Sequence, residues 1–452
     1  MKTNITYSRD THIAAVGPSV WAKLGPEDWF DSYKLVAANS RNYQADFVID
    51  LAIQAEDIEQ FTTQNIIETP QFKAIANGEL APYQFIAYRP VEIPEGLTAD
   101  RFIANDIIFS RFEDKKIFRE LFDGLIPIPK YTIISLTEFL DQDAGEMYET
   151  YRALFGGDTF VAQDNVGGGG RGTFIIRSIQ DVEEAVEVLR AEHKGTYVVL
   201  SQFVSGIERS AQTFISPSHT VKGPLQQQLV RNPELLDPNG RGGMYFCGGK
   251  FIYDASDHVK DQVVRIIETV SSTLRASDYI GIFGVDFLLD QDENVYVLEI
   301  NARTTGLLPL LNEHQSELPL YLLHILELAR KPYQIESPES VAEPYLVSSG
   351  PRSFVTLFNT SGHRAHFDSE ITTGNYKLTD AGLEQIDDRA RWHADADVML
   401  QLFCAADFPA KPNLKLANIF LKNGGFSETG ELDDITRRVV NYLKAHTVSI
   451  GN

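Results

Sequence analysis

The residues best suited to chemistry in this chain are Asp286, Glu299 and Asn301, within the stretch VDFLLDQDENVYVLEINARTT from Val285 to Thr305. VDFLLD and VYVLEIN are apolar and β-prone, and Gln291-Asp292-Glu293-Asn294 between them is polar, a pattern that predicts a hairpin. With a four-residue loop, Asp290 is expected to face Val295, Asp286 to face Glu299 and Gly284 to face Asn301, and the two-residue period puts Asn301 on the face of Glu299. Opposed side chains in such a pair have Cβ atoms about 4.5–5.5 Å apart. Two carboxylates that close, in an otherwise Val/Leu/Ile-rich pair, repel each other; either one stays protonated or a cation sits between them. Two carboxylates and an amide carbonyl form an all-oxygen set, too small for a full cage, which suits Mg2+ shared with phosphate oxygens. Gly284 is expected to leave room on that face. Arg303, two residues past Asn301, is expected to point to it and to meet phosphate or carboxylate with its planar fork. The plain alternative is a hairpin with a solvated acidic face, and the apolar character of both strands argues against it.

A second pattern is Asp164-Asn-Val-Gly-Gly-Gly-Gly-Arg-Gly172, between expected strands at Asp158–Gln163 and Thr173–Arg177. Consecutive glycines between strands make a flap whose N–H groups can approach an anion closely, and Arg171 within them favours phosphate. It is not a Walker A loop, since it lacks Gly-Lys-Ser/Thr and leads into a strand. A plain flexible hairpin is the alternative.

Several elements are expected to position these groups. An amphipathic helix is predicted over Phe112–Phe122, with Lys115 and Lys116 at its start on the polar side, and a strand over Tyr131–Ser135. A helix over Asp181–His193 precedes a strand over Thr196–Val204, and Glu208 follows before a further strand at Ala211–Ile215. The exit of such a strand offers free backbone groups that can read an adenine edge, and Glu208 can accept from a ribose diol. Residues 223–250 read as a long polar segment with Arg231 and Arg241 as anion binders. Helices are predicted over Ser256–Tyr279 and Leu318–Leu328, and a linker over Pro332–Pro344. Beyond it, strands at Ser353–Phe358 and Val398–Phe403 and a helix at Asp433–His446 make a third lobe. Before residue 107, strands at Phe47 and Gln84–Tyr88 indicate a small α/β lobe without a G-x-G-x-x-G fingerprint.

At 452 residues the chain exceeds one core, so roughly two to four lobes are expected. The net charge of −23 argues against a nucleic-acid or anionic-membrane partner, while leaving a local pocket for one nucleotide open. Cys247 and Cys404 cannot make a disulfide framework, although one pair is conceivable, and a reducing cytoplasm is the simpler context. The start MKTNITYSRD has no apolar signal core and no run reaches 18 apolar residues, so a cytoplasmic protein is expected. His363-x-x-His366 reads as a polar turn, with no further ligand near it for zinc.

Taken together, a lysine-bearing helix start, a strand–glycine flap–strand, a strand followed by Glu208, and the D-x12-E-x-N hairpin resemble the ATP-grasp superfamily over roughly Asn105–Thr305. The resemblance implies an α/β architecture of α+β lobes: an N-terminal lobe at 1–107, an ATP-grasp core at 108–335 with its flap at 164–172, and a C-terminal lobe at 336–452. It implies ATP between two lobes beneath the flap glycines Gly168, Gly169 and Gly170. Lys115, or Lys116, corresponds to a phosphate-binding lysine, Gln202 to Val204 to the adenine hinge, and Glu208 to the ribose ligand. Asp286, Glu299 and Asn301 correspond to the magnesium ligands, and Arg303 to a residue near the transferred phosphate, with Arg171 adding charge. Two positions depart from the family pattern: Gln163 stands where a lysine is usual, and Ser201 where the hinge usually begins with Glu. The C-terminal lobe is similar to that of stand-alone amino-acid and peptide ligases. The implied function is an ATP- and Mg2+-dependent carboxylate–amine ligase acting on small molecules through an acyl phosphate, and a homodimer is compatible with it. Transfer to a thiol, or nucleotide binding without ligation, are the alternatives.

Overall fold

The computed structural model describes residues 5–17, 26–38, 45–49, 63–87, 90–104, 107–168, 170, 172–237, 245–252, 254–313, 319–336, 350–389 and 391–450. Near the start, short apolar runs form a five-stranded parallel sheet in the order Phe47–Ile49, Ser32–Ala38, His12–Gly17, Gln84–Ala87, Phe102–Ile103. Near-continuous apolar runs suit strands buried on both faces, as parallel strands are. The helix expected after Phe47–Ile49 falls on residues 50–62, outside the described residues.

A four-stranded antiparallel sheet follows, ordered Tyr131–Ser135, Tyr197–Gln202, Phe160–Asp164, Thr173–Ile176. It carries the glycine flap between its last two strands. Phe160, Ala162 and Leu200 pack against Phe139, Met147 and Val182 of the helices Leu136–Asp141, Ala144–Phe155 and Ile179–Glu192.

The largest element is a ten-stranded sheet in the order Val295–Asn301, Gly281–Leu289, Ile207–Ile215, Thr220–Val230, Phe246–Phe251, Ser353–Phe358, Lys415–Leu421, Val398–Leu402, Gly374–Thr379, Gly382–Asp387. Helix Asp257–Arg275, capped by Ser256, buries Val263, Ile267 and Val270 against Ala211, Val285 and Phe287 on one face. Helix Leu320–Leu328 packs with Phe214, Val221 and Ile282 on the other. The strands after residue 350 continue this same sheet, joined through the pairing of Gly248–Lys250 with Ser353–Val355.

Four expectations are corrected. The two ends of segment 223–250 are strand, within Thr220–Val230 and Phe246–Phe251, and Gln226 and Gln227 are buried in the sheet despite their polarity. The helix expected from Phe112 begins at Lys115, since the Asp114 carboxylate caps the backbone N–H of Lys116 and Ile117 and a 3-10 run fills Ile107–Glu113. Glu208 lies inside strand Ile207–Ile215 rather than before it. The expected linker contains strand Tyr333–Ile335, paired with Ile5–Tyr7, and its remainder from 337 lies outside the described residues. Cys247 and Cys404 are both free and buried, so the conceivable pair is not formed. Among the described residues no helix is long and apolar enough to cross a membrane.

Candidate functional site

The carboxylate hairpin has the predicted pairs, Asp286 with Glu299 and Gly284 with Asn301, but reaches them differently. Leu289, not Asp290, faces Val295, and a bulge between Asp286 and Phe287 restores the register. Asp290 is drawn into the turn, where its carboxylate accepts from the backbone N–H of Asp292 and Asn294. The room expected at Gly284 is filled: a Cβ there would lie 2.4 Å from Cγ2 of Thr305, so the glycine admits that side chain.

Around the pair, the Asn301 amide Nδ2 donates to Asp286 Oδ2 at 3.0 Å and to Glu299 Oε1 at 3.2 Å. Gln228 Nε2 donates to Asp286 Oδ1 at 2.6 Å. Lys115 Nζ lies 3.4 Å from Glu299 Oε2, with its side chain only 5% exposed. The expected polar-side position thus fails for Lys115, which points inward. Lys116 remains outside, bonded to Glu120 and lying over the Tyr197 ring. The strand ends at Asn301, yet Arg303 still reaches its face. Its Nη2 donates to Asn301 Oδ1 at 3.0 Å, its Nε to Glu113 Oε2 at 3.0 Å and its Nη1 to the Thr304 carbonyl at 2.9 Å.

The two carboxyls are unequal. Burial and the repulsion of Glu299 push Asp286 up to about 7. Burial acts on Glu299 in the same direction, but Lys115, the Asn301 amide and Arg303 outweigh it and hold its carboxyl below the ordinary value. Asp286 therefore keeps a proton toward neutral pH, the relief expected of an opposed pair, and a divalent cation would replace that proton. Among the described residues no three His, Cys, Asp or Glu side chains are grouped to hold a metal, so the third oxygen must come from Asn301. Half a turn of its amide would present Oδ1 in place of Nδ2. The donor set therefore fits a hard cation.

Lys115 is placed by Asn165, at the base of the flap. Its backbone N–H donates to the Asn165 carbonyl at 2.9 Å, and Asn165 Nδ2 donates to Asp114 Oδ2 at 2.6 Å. Lys115 Nζ also donates to the Gly167 carbonyl at 3.2 Å, tying the flap to the carboxylate site. Gly168 and Gly170 are half-buried beside it, Gly170 with φ 78. Gly169, Arg171 and Arg241 lie outside the described residues. Gln163 sits at the root of the flap, its Nε2 donating to Thr173 Oγ1 at 3.2 Å.

The hinge strand ends at an open cleft of about 320 Å³ lined by Gln202, Phe203, Val204, Ser205, Asp290 and Tyr296. The Gln202 N–H is used by the Lys130 carbonyl at 2.8 Å. Glu208, paired in register with Leu288, shares the sheet face of Asp286, and burial raises its carboxyl pKa. It does not line the cleft. Arg231 lies at a bend with φ 47 and an exposed side chain.

Glu113, Asn165 and Gln228 were not found by sequence reasoning. Asn165, at the mouth of the glycine run, carried a usable signal as a turn-former; Gln228, separated from Asp286 by 58 residues, carried none.

Residues 113–307 match the family model of the ATP-grasp domain. Solved structures share the overall fold at low identity. Biotin carboxylase from Campylobacter jejuni, in its β-γ-ATP complex, is 13% identical with a TM-score of 0.57, covering 91% of this chain and 87% of that one. Phosphoribosylamine–glycine ligase from Thermotoga maritima is 15% identical with a TM-score of 0.54, covering 98% of each. The biotin carboxylase domain dimer of the Hydrogenobacter thermophilus 2-oxoglutarate carboxylase, with MgADP and bicarbonate, is 12% identical with a TM-score of 0.54, covering 91% and 86%.

Proposed function

We propose that the chain, whose residues 113–307 match the family model of the ATP-grasp domain, is an ATP- and Mg2+-dependent ligase joining a small carboxylate to an amine. The observation that carries this reading is convergence: Asp286, Glu299, Asn301, Lys115 and Arg303 meet in one half-buried cluster at the root of a glycine flap. In this reading Asp286, Glu299 and Asn301 hold Mg2+, which neutralises charge on the phosphates. Lys115 and Arg303, with Arg171 from the flap, meet phosphate oxygens. Gly168, Gly169, Gly170 and Gln163 approach the same phosphates, the Gln202–Val204 backbone takes adenine and Glu208 takes ribose.

The carboxylate oxygen attacks the γ-phosphorus and ADP leaves, giving an acyl phosphate. The amine then attacks the acyl carbon, phosphate leaves, and the nitrogen gives up its proton to yield an amide. Such transfer needs positioning and charge neutralisation more than a protein nucleophile. A closed flap would keep water from the acyl phosphate. The MgADP of the H. thermophilus neighbour and the amine–carboxylate chemistry in the name of the T. maritima one support the proposal. So does the pull of Lys115 on Glu299, a contact that phosphate would replace. The proposed units 1–107, 108–335 and 336–452 divide the work, the last sharing the central sheet with the core. A homodimer, the form of the H. thermophilus domain, belongs to the same proposal.

Gln163 favours a second reading. It brings no charge and its amide is engaged by Thr173, which suits a module that binds nucleotide without ligation. Phosphate release from ATP, measured with a carboxylate panel alone, with amines, with thiols and with neither, separates these readings, and mass spectrometry identifies any product. Release only with carboxylate plus amine is expected. Release with thiols alone moves the acceptor class, and ATP binding without release under every condition leaves the module.

A further inference from the structure

Of three fully buried glutamines on the central sheet whose side-chain amides are unmet among the described residues, Gln212, Gln226 and Gln401, the first two lie beside the carboxylate cluster. Gln212 and Gln226 are both fully buried, and among the described residues neither the Nε2 nor the Oε1 of either has a hydrogen-bond partner. Each such unmet group costs stability, so a leucine would serve a purely structural position better. Their place is specific. Gln226 is opposite Ser210, which is opposite Asp286; Gln212 is opposite Gly284, which is opposite Asn301. Directly paired residues share a sheet face, so both amides lie on the face of the carboxylate cluster. Gln228, two residues from Gln226, marks the border by donating to Asp286. The segment after Asn301 covers this floor, with Thr305 over Gly284 and Leu307 over Gly249.

We propose that Gln212 and Gln226 form a neutral subsite beside Asp286 that binds a primary carboxamide on the acceptor amine. The proposal rests on the ligase reading for the word acceptor, and on the geometry alone for the subsite. Together the two side chains offer two amide donors and two amide acceptors with no formal charge. A carboxamide matches them in both directions. A carboxylate has no donor for the two Oε1 atoms, and the nearby cations Lys115 and Arg303 are already engaged by Glu299 and Glu113. An ammonium has no acceptor to offer, and would leave both side-chain NH2 groups unanswered.

Ligand-observed NMR on the full chain with MgADP tests this, using acetamide, acetate and methylammonium as probes. Acetamide is expected to bind and the charged probes are not. Gln212→Leu and Gln226→Leu should each weaken acetamide by roughly ten-fold, the loss of about one buried hydrogen-bonded group. Their melting temperatures should hold or rise, because leucine fills similar volume without unmet polar atoms. Equal binding of acetate and acetamide by the unmodified protein overturns the subsite, as does a fall in melting temperature with acetamide binding retained. The unmodified protein's preference decides the matter alone if a variant does not fold. Acetamide binding without phosphate release from any carboxylate–amine pair would sink the ligase reading and keep the subsite. Phosphate release with L-alanine and L-alaninamide at equal KM would do the reverse.

Discussion

Neutralising the two opposed carboxylates one at a time should have opposite effects on the free protein. Asp286 moves from an ordinary 3.8 to about 7, so the folded state holds a proton that the unfolded chain has released. A raised carboxyl costs stability as pH climbs from the unfolded value through the folded one. By pH 8 that cost is about 4 kcal/mol, from three units at 1.36 kcal/mol each. Asp286→Asn removes it. The substituted amide keeps the acceptor for Gln228 but turns an NH2 group toward Asn301 Nδ2, losing one hydrogen bond worth about 1 kcal/mol. A net gain of roughly 3 kcal/mol at pH 8 remains, which should shrink to less than about 1 kcal/mol at pH 5, only a little above the unfolded value of 3.8. For a cooperative core of roughly 200 residues the pH 8 gain is about 7 °C in melting temperature. Glu299→Gln should act the other way, because it leaves the buried Lys115 ammonium without its carboxylate. Its loss should be near 2 kcal/mol, in the range of about 1–3 for removing a charged hydrogen-bond partner. Both variants should lose Mg2+-dependent nucleotide binding. The measurement is thermal unfolding of both variants and the parent at pH 5 and pH 8 without nucleotide, with MgATP titrations alongside. An Asp286→Asn variant that is no more stable at pH 8 than the parent, or gains equally at both pH values, refutes the assignment of the proton to Asp286.

Three further outcomes are expected. Arg303 serves Glu113, Asn301 and the Thr304 carbonyl with separate nitrogens, a geometry lysine cannot copy; Arg303→Lys should lower kcat more than it raises the KM for ATP. A fall in melting temperature with normal kinetics would make it a structural arginine. Residues 164–173 should gain protection from hydrogen exchange with a non-hydrolysable ATP analogue, as Lys115 exchanges the Gly167 carbonyl for phosphate; no nucleotide-dependent change would make the segment a plain hairpin. Gln163→Lys should tighten ATP by about ten-fold if position 163 faces phosphate, one charge-assisted contact being worth about 1.5–3 kcal/mol; unchanged affinity in a titration would place that side chain away from the nucleotide.

What the amino-acid order determined by itself was local. Asp286, Glu299 and Asn301 could be grouped because they belong to one hairpin, where a two-residue period and a turn decide which side chains meet. The glycine flap and its flanking strands were legible for the same reason, and so was the all-oxygen character of the site. The route to the register was not, because the Asp290 carboxylate competes with the ladder for backbone N–H groups and a bulge compensates. Only tertiary structure decided that Lys115 and not Lys116 turns inward, through the Asn165 clamp, and that Gln228 and Glu113 hold the side chains of Asp286 and Arg303. Arg303 and Glu113 are 190 residues apart. Strand order across the sheet brings such residues together, and no short-period pattern encodes that order. The strand Thr220–Val230 escaped for a related reason. Its glutamines read as a solvated loop, since hydropathy records the polarity of a side chain but not whether the assembled sheet will bury it.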